Sequence, residues 1–315
     1  MTETQSQQQP LPDDARERLR QHFLQDRTPS RWNELWTTGS FLPWDRGVPN
    51  PALKDALLSH SSTIGPPLHP DGTRKRALVP GCGKGYDVLL LSAAGYDAYG
   101  LEVSGAVEAA RSHARGVEGE EAYAVFDGKV GPGKVEFVEG DFYSDAWEKV
   151  ITGDGEGGGF DLIYDYTVSF SASPSYLICC AGLFTAQRHS SVSATELTTP
   201  KFLCAMPPTI RPSWSKRMSE LLAQTGTLIC LEFPTYKDPK TGGPPWGLTP
   251  ETYEMLLPYP GEEPEYDDKG YVVKREGRAE NPRGLRRVAH WKAERTHPIG
   301  QGNDCVSLWQ HGAGS

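Results

Sequence analysis

Residues 74–104 read RKRALVPGCGKGYDVLLLSAAGYDAYGLEVS, and this stretch decides the fold. A short apolar strand at residues 77–80 is followed by three glycines within five residues and then by an apolar helix that begins at about Asp87. Glycines suit such a turn because the backbone must reverse tightly and approach a ligand closely, with the N–H groups of the next helix directed at it. The pattern predicts a strand, a glycine turn and a helix.

A second strand, AYGLEV, follows and carries Glu102 near its end, 21 residues after Gly81. An acidic side chain at the tip of the second strand is where a ribose diol is bound in folds of this type. A glycine turn alone, in a chain with 34 glycines, is as often only a turn. The complete unit indicates a nucleoside ligand, and the spacing GxGxG rather than GxGxxG favours one without phosphate, such as S-adenosylmethionine.

Further strands predict a doubly wound α/β sheet. The segment KVEFVEGDFYS ends at Asp141 and Phe142, where a short acid and an aromatic ring are suited to the edge and face of an adenine. GGFDLIYDYT is a buried fourth strand that ends at Tyr166, and GTLICLEFPT is the fifth. The helix RPSWSKRMSELLAQTG joins them, and we expect Gly226 to cap it.

The segment RWNELWTTGSFLPWDRG contains three of the eight tryptophans. Trp32 and Trp36 are four residues apart, which places them on one face of a helix, and Trp44 follows after a turn. A helix packed on the sheet explains one such tryptophan. For three, a second interpretation competes, because aromatic faces stabilise a sulfonium cation that has no hydrogen-bond donors of its own.

The charge and composition of the chain limit the kinds of partner that we expect it to bind. The net charge of −9 argues against nucleic acid or an anionic membrane, and no apolar run is long enough for a membrane helix. The six cysteines are scattered without a CxxC pair, and the first residues show no apolar region of the kind that a secretory signal needs. We therefore expect a cytoplasmic monomer that acts on a small molecule, and no metal site is predicted.

At this point a family resemblance emerges. The chain resembles the thiopurine S-methyltransferase-like family, and within it the thiol, halide and thiocyanate methyltransferases. The segments that carry the resemblance are WNELWTTGSFLPWDRG, LVPGCGKGYD, GLEVS, EGDFY, FDLIYDYT, FLCAMPP and EFPTYKDPKTGGPPWGL. It implies a Rossmann-like class I fold with a seven-stranded, mostly parallel sheet and an antiparallel terminal hairpin. We expect one methyltransferase domain at residues 13–315 after a disordered tail at residues 1–12.

The same resemblance implies S-adenosylmethionine as cofactor. The implied cofactor-binding positions are Trp32, Trp36, Trp44, Gly81, Glu102, Asp141, Phe142 and Tyr166. Family members often carry Asp where Glu102 stands, and the longer side chain should still reach the ribose.

The expected activity is methylation of a small thiol or of a soft anion such as hydrosulfide, iodide or thiocyanate. Such nucleophiles need positioning more than acid or base catalysis, so no catalytic residue is assigned. Of the eight histidines, only His297 lies near these motifs. A general base placed near Tyr166 would instead favour a small-molecule O-methyltransferase. A nicotinamide dehydrogenase is disfavoured by the GxGxG turn and the tryptophan cluster.

Two insertions interrupt the resemblance. Residues 168–201 separate DYT from FLCAMPP and contain only three charged residues, Arg188, Glu196 and Lys201. The segment is a lid loop, a partner-binding insertion or a translated intron. Its codons permit GT at the start and AG at the end, which favours the intron. If it blocks the substrate site, the chain is a non-catalytic S-adenosylmethionine-binding protein. The second insertion, residues 262–287, is highly charged and predicts a solvated loop.

Overall fold

The computed structural model describes residues 29–39, 42, 44–102, 104–117, 119–152, 158–166, 203–242, 245–274, 277–279 and 281–312. The predicted tail at 1–12 and the insertion at 168–201 lie outside the described residues, so both stay predictions. The strands are β1 Arg76–Pro80, β2 Asp97–Glu102, β3 Val135–Glu139, β4 Phe160–Asp165, β5 Leu222–Glu232, β6 Leu285–Lys292 and β7 Cys305–His311.

The helices of the described residues are α1 Pro29–Thr38, α2 Pro51–Ser59, α3 Ser61–Ile64, α4 Tyr86–Ala93, α5 Ser104–Gly116, α6 Glu148–Thr152, α7 Arg211–Leu221 and α8 Pro250–Leu256. Short 3₁₀ turns lie at Glu121–Tyr123, Leu203–Ala205, Pro208–Ile210 and Pro239–Thr241. No helix in these ranges combines the length and the apolarity that crossing a membrane requires.

All seven strands belong to one sheet with the order β3-β2-β1-β4-β5-β7-β6. Strands β1 to β5 pair in parallel, whereas β7 pairs antiparallel with both β5 and β6. This arrangement confirms the predicted doubly wound sheet with its antiparallel end. Chain order reverses between β1 and β4, and ligands of such sheets bind at that point, beyond the carboxyl ends of the strands.

The core has two layers, one on each face of the sheet. In β1, Leu78 belongs to one buried cluster, whereas Ala77 and Val79 belong to the other. Trp214 of α7 packs in the first cluster and Leu91 of α4 in the second. Because the central strands are buried on both sides, their sequences are continuous apolar runs without alternation.

The predicted role of Gly226 is wrong. Helix α7 ends at Leu221, and Leu222 already has an extended backbone and starts β5. Phe160 pairs with Leu222 and Leu162 with Thr227, so Gly226 lies in an irregular stretch of β5. A Cβ there would lie 2.7 Å from the carbonyl oxygen of Phe160. Gly226 therefore permits close backbone contact within the sheet and does not end a helix.

The second insertion is shorter than predicted. Leu285 is fully buried and opens β6, so residues 285–287 belong to the sheet and not to the solvated loop 262–287. The backbone N–H of Leu285 donates to the carbonyl oxygen of Leu257 at 2.9 Å. Arg286 is exposed and Arg287 is only half-buried, so charged side chains follow Leu285 directly. In the sequence, this start of a strand therefore resembles the charged loop before it.

We predict that Gly100→Ala destabilises the fold. A Cβ at Gly100 in β2 would lie 2.6 Å from Sγ of Cys82 and 2.8 Å from the ring of Phe137. Overpacking of this kind costs about 1–3 kcal/mol, measurable by urea denaturation. Gly116→Ala at the end of α5 is the control, because nothing lies within 4 Å of its Cβ position. Equal stability of the two variants would contradict this account of the packing.

Candidate active site

The carboxyl ends of four neighbouring strands form the candidate site. The sheet order places the ends of β3, β2, β1 and β4 side by side, and with them Asp141, Glu102, Gly81 and Tyr166. The backbone N–H of Gly81 donates to the carbonyl oxygen of Leu101 at 2.6 Å, which holds the turn against the end of β2. Residues far apart in sequence thus meet along one edge.

The glycine turn has the conformation that its sequence predicts. Gly81, Gly83 and Gly85 have φ angles of 63°, 55° and 80°, a region that side chains other than glycine rarely adopt. Helix α4 begins directly after the third glycine, at Tyr86. The first-turn backbone N–H groups of α4 thus follow directly after a turn that lacks side chains at three positions.

Two of the three predicted tryptophans lie at this turn. A Cβ at Gly83 would lie 3.3 Å from Cη2 of Trp36, so the indole packs directly over the glycine. Trp44 meets Trp36 edge-on, with ring centroids 5.8 Å apart and an interplanar angle of 66°. Trp32 lies in α1, and its side chain is not among those described. The aromatic faces next to the turn fit a cationic sulfonium.

Asp45 fixes the tryptophan segment to the turn. Its carboxylate accepts a hydrogen bond from the hydroxyl of Tyr86 at 2.6 Å and pairs with Nζ of Lys84 at 2.5 Å. Sequence reasoning missed Asp45, since a pairing across about forty residues leaves no periodic pattern. The one local signal is its position directly after Trp44 in the sequence PWDRG.

The two predicted acidic positions lie at the carboxyl ends of β2 and β3. Glu102 ends β2 with a buried side chain, as expected for a ribose-binding acid. Asp141 follows β3, and its Oδ1 accepts the backbone N–H of Tyr143 at 3.1 Å. One oxygen of Asp141 therefore shapes its own turn.

The ring of Phe142 lies in the core beneath the strand ends. Its ring is 0% exposed and meets Tyr143 edge-on at 5.2 Å within the core. Its carbonyl oxygen accepts a hydrogen bond from Nε of Arg217 at 2.8 Å. The ring thus packs beneath the strand ends, and its role in cofactor binding stays a prediction.

The ring of Tyr166 packs against the ring of His297, and both rings are buried. The two rings stack with centroids 5.7 Å apart and an interplanar angle of 27°. Burial raises the pKa of Tyr166 well above its usual value, so the hydroxyl stays protonated. Burial, together with the nearby charge of Arg46, lowers the pKa of His297 to about 4. Both rings are neutral near pH 7.

A chain of buried polar groups lies beneath this pair. Oδ1 of Asp87 accepts the backbone N–H of Asn50 at 2.8 Å, and Nδ2 of Asn50 donates to Oγ1 of Thr296 at 3.3 Å. The Thr296 hydroxyl donates to Oδ2 of Asp304 at 2.7 Å. The chain connects the helix after the glycine turn with the loop that carries His297.

Comparison with known proteins identifies the family. The family model described as thiopurine S-methyltransferase (TPMT) matches residues 27–176 and 168–290. The chain belongs to this family. The two matches overlap only at residues 168–176, at the start of the first insertion. The protein is thus an S-adenosylmethionine-dependent methyltransferase, and the glycine turn, the tryptophans and Glu102 fit that cofactor.

Individual relatives of the chain are also named as methyltransferases. A probable thiol methyltransferase 2 of Arabidopsis thaliana is 28% identical over 277 residues, which cover 87% of this chain and 89% of the relative. Thiocyanate methyltransferase 1 of Brassica oleracea is 30% identical and covers 72% of this chain and 70% of the relative. Among solved structures, a TehB-like SAM-dependent methyltransferase from Corynebacterium glutamicum covers 96% of this chain and 100% of its own, with 12% identity and a TM-score of 0.41.

We predict that the substitution Asp87→Asn changes the pH dependence of the stability of this methyltransferase. Burial raises the pKa of Asp87 to about 7, so the folded protein keeps a proton that the unfolded chain loses above about pH 4. Wild-type stability should therefore fall as the pH rises from about 4 to about 7. The variant lacks this loss and should gain roughly 2–3 kcal/mol relative to wild type between about pH 5 and pH 8, measured by urea denaturation.

Asp71→Asn is the control for this experiment. The side-chain hydrogen bond from Thr73 lowers the pKa of Asp71, so its titration affects stability only in acid. The titratable groups that face Asp87 are the tyrosines Tyr123, Tyr164 and Tyr166, whose raised pKa values keep them neutral. A constant difference between Asp87→Asn and wild type across this pH range would contradict the prediction.

Proposed function

We propose that the protein transfers the methyl group of S-adenosylmethionine to a small thiol or to a soft anion such as hydrosulfide, iodide or thiocyanate. The observation that carries this proposal is the environment of Tyr166, which combines neutral aromatic rings with one arginine. The names of the relatives, a probable thiol methyltransferase and a thiocyanate methyltransferase, support the same substrate class.

Arg46 supplies the charge that an anionic substrate requires. It lies close enough to Tyr166 and His297 for its charge to act on both rings, and it also interacts with Asp45. Burial lowers the pKa of Arg46, but a guanidinium remains protonated at neutral pH. A positive charge in partly buried surroundings stabilises a thiolate or a halide and lowers the pKa of a nearby thiol.

The weak basicity of the site supports the same substrate class. S-adenosylmethionine supplies a methyl group on a positively charged sulfur, and an anionic nucleophile has no proton to lose. Orientation of the nucleophile beside the stacked rings of Tyr166 and His297 is then the main requirement. An alcohol would need a strong base, whereas His297, with a pKa of about 4, is a weak one. The O-methyltransferase alternative is therefore less well supported.

We predict that Arg46→Met impairs anion use without impairing cofactor binding. The KM for hydrosulfide, iodide and thiocyanate should rise by about tenfold or more, since a partly buried charge–anion contact is worth at least 1–2 kcal/mol. Methyl transfer from S-adenosylmethionine is the readout, and titration with S-adenosylhomocysteine checks the cofactor site.

Two variants serve as controls for that prediction. Arg46→Lys keeps the charge and should retain most of the activity, while Arg295→Met removes an exposed arginine that pairs with Asp55 at the surface. Faster methylation of a catechol than of every thiol and soft anion would overturn the proposed substrate class. An unchanged KM in Arg46→Met would overturn the role of Arg46.

We also propose that residues 168–201 are a translated intron. Support comes from the codon possibilities and from the two family matches, which meet at this segment. The full chain and a form without these residues should bind S-adenosylhomocysteine alike, since loop length changes closure entropy only slowly. We expect the shortened form to turn over at least tenfold faster. Higher activity in the full chain would show that the segment is a lid.

A further inference from the structure

Three potential metal ligands meet at the antiparallel end of the sheet. Glu232 is the last residue of β5, Cys305 is the first residue of β7, and these two are register partners. His290 lies on β6 two residues before Lys292, the partner of Cys305 on that side. Since side chains alternate along a strand, His290 points to the same face as Cys305. One ligand atom from each residue lies within 4.8 Å of the other two.

The buried carboxylate is the feature that a simple ion pair leaves unexplained. Glu232 is 0% exposed, and its Oε2 lies 3.0 Å from Nε2 of His290. Its Oε1 is also buried and has no hydrogen-bond partner. A buried carboxylate oxygen without a partner is destabilising, so such a group calls for an explanation. A cation between the three side chains provides one.

Cys305 contributes the third donor. Its Sγ has one weak contact, with the carbonyl oxygen of Asn303 at 3.9 Å. A weak contact of this kind leaves the sulfur available as a ligand, and a divalent ion binds such a group as the thiolate.

We propose that Glu232, His290 and Cys305 bind a zinc ion. Imidazole nitrogen, thiolate sulfur and carboxylate oxygen are the donors that Zn²⁺ takes in proteins, and this mixed set does not suit Mg²⁺ or Ca²⁺. Metal–ligand bonds of about 2.0–2.3 Å place tetrahedral donors roughly 3.5 Å apart, so small side-chain rotations close the site. The partly exposed ring of His290 leaves a fourth position open to water.

The three ligands lie at the end of β5, the neighbour of the strand that leads to Tyr166, and next to the loop that carries His297. Residues 293–304 connect β6 to β7 and carry both His297 and Asp304. A metal held by His290 and Cys305 clamps the two strands at the base of this loop and anchors them to β5. Zinc therefore stabilises the loop that positions His297 against Tyr166. Sequence reasoning missed the site because its three ligands come from three strands without a motif.

The test uses the full-length protein, freed of metal by dialysis against a chelator. Zn²⁺ binding is measured by competition with a chromophoric chelator, and Co²⁺ replaces zinc to reveal a thiolate-to-metal charge-transfer band. We expect one Zn²⁺ per chain and a thiolate band. Cys305→Ser should abolish the band and weaken binding at least tenfold, and His290→Gln, which keeps a hydrogen-bonding group beside Glu232, should also weaken binding at least tenfold.

A matched control separates this site from the other thiols. A double variant, Cys179→Ser with Cys180→Ser, removes the adjacent cysteines of the first insertion and should keep both the band and the affinity. Circular dichroism and S-adenosylhomocysteine affinity check that each variant is folded. Absence of saturable zinc binding, or binding that survives Cys305→Ser in a folded protein, would overturn the proposal. Loss of the band only in the double variant would also overturn it.

Discussion

The close approach of α4 to the sheet is the constraint on which the rest of the structure depends. At Gly100, a single methyl group would collide with Cys82 and Phe137, and at Gly83 it would press on Trp36. Because these positions lack side chains, the turn after β1 lies against β2 on one side and against an indole on the other.

Buried polar bonds then connect parts of the chain that no local interaction joins. Asn50 and Thr296 are 246 residues apart, and their hydrogen bond links the start of α2 to the loop between β6 and β7. Asp87, at the start of α4, accepts from the backbone of Asn50. Such bonds are costly to leave unmade in a core, so they fix one relative position of helix, segment and loop. Because the loop carries His297, the same bonds fix the position in which His297 stacks on Tyr166.

The sequence predicts the fold and the positions that gather at the strand ends, but not the side-chain pairings between them, and this division has a physical cause. The glycine turn, Glu102 and the strand ends follow from spacing within one βαβ unit, and Trp36 and Trp44 stood out by composition. Asp45, Arg46 and the stacking of His297 on Tyr166 depend on side chains that meet only in the folded chain. The position of Gly226 inside β5 is not visible in the sequence, because a capping glycine and a close-contact glycine look identical there.

The consecutive residues Trp44, Asp45 and Arg46 lie between the proposed binding sites of the cationic methyl donor and the anionic nucleophile, which need opposite surroundings. A sulfonium is stabilised by aromatic faces, whereas an anionic nucleophile is stabilised by a cation, and a site that contains both must keep them in order. Trp44 meets Trp36 over the glycine turn, Asp45 pairs with Lys84, and Arg46 acts on Tyr166. With the carboxylate of Asp45 anchored to the turn, its neighbours in sequence lie on either side of it. One tethered segment thus sets the distance between the proposed donor and acceptor ends of the site.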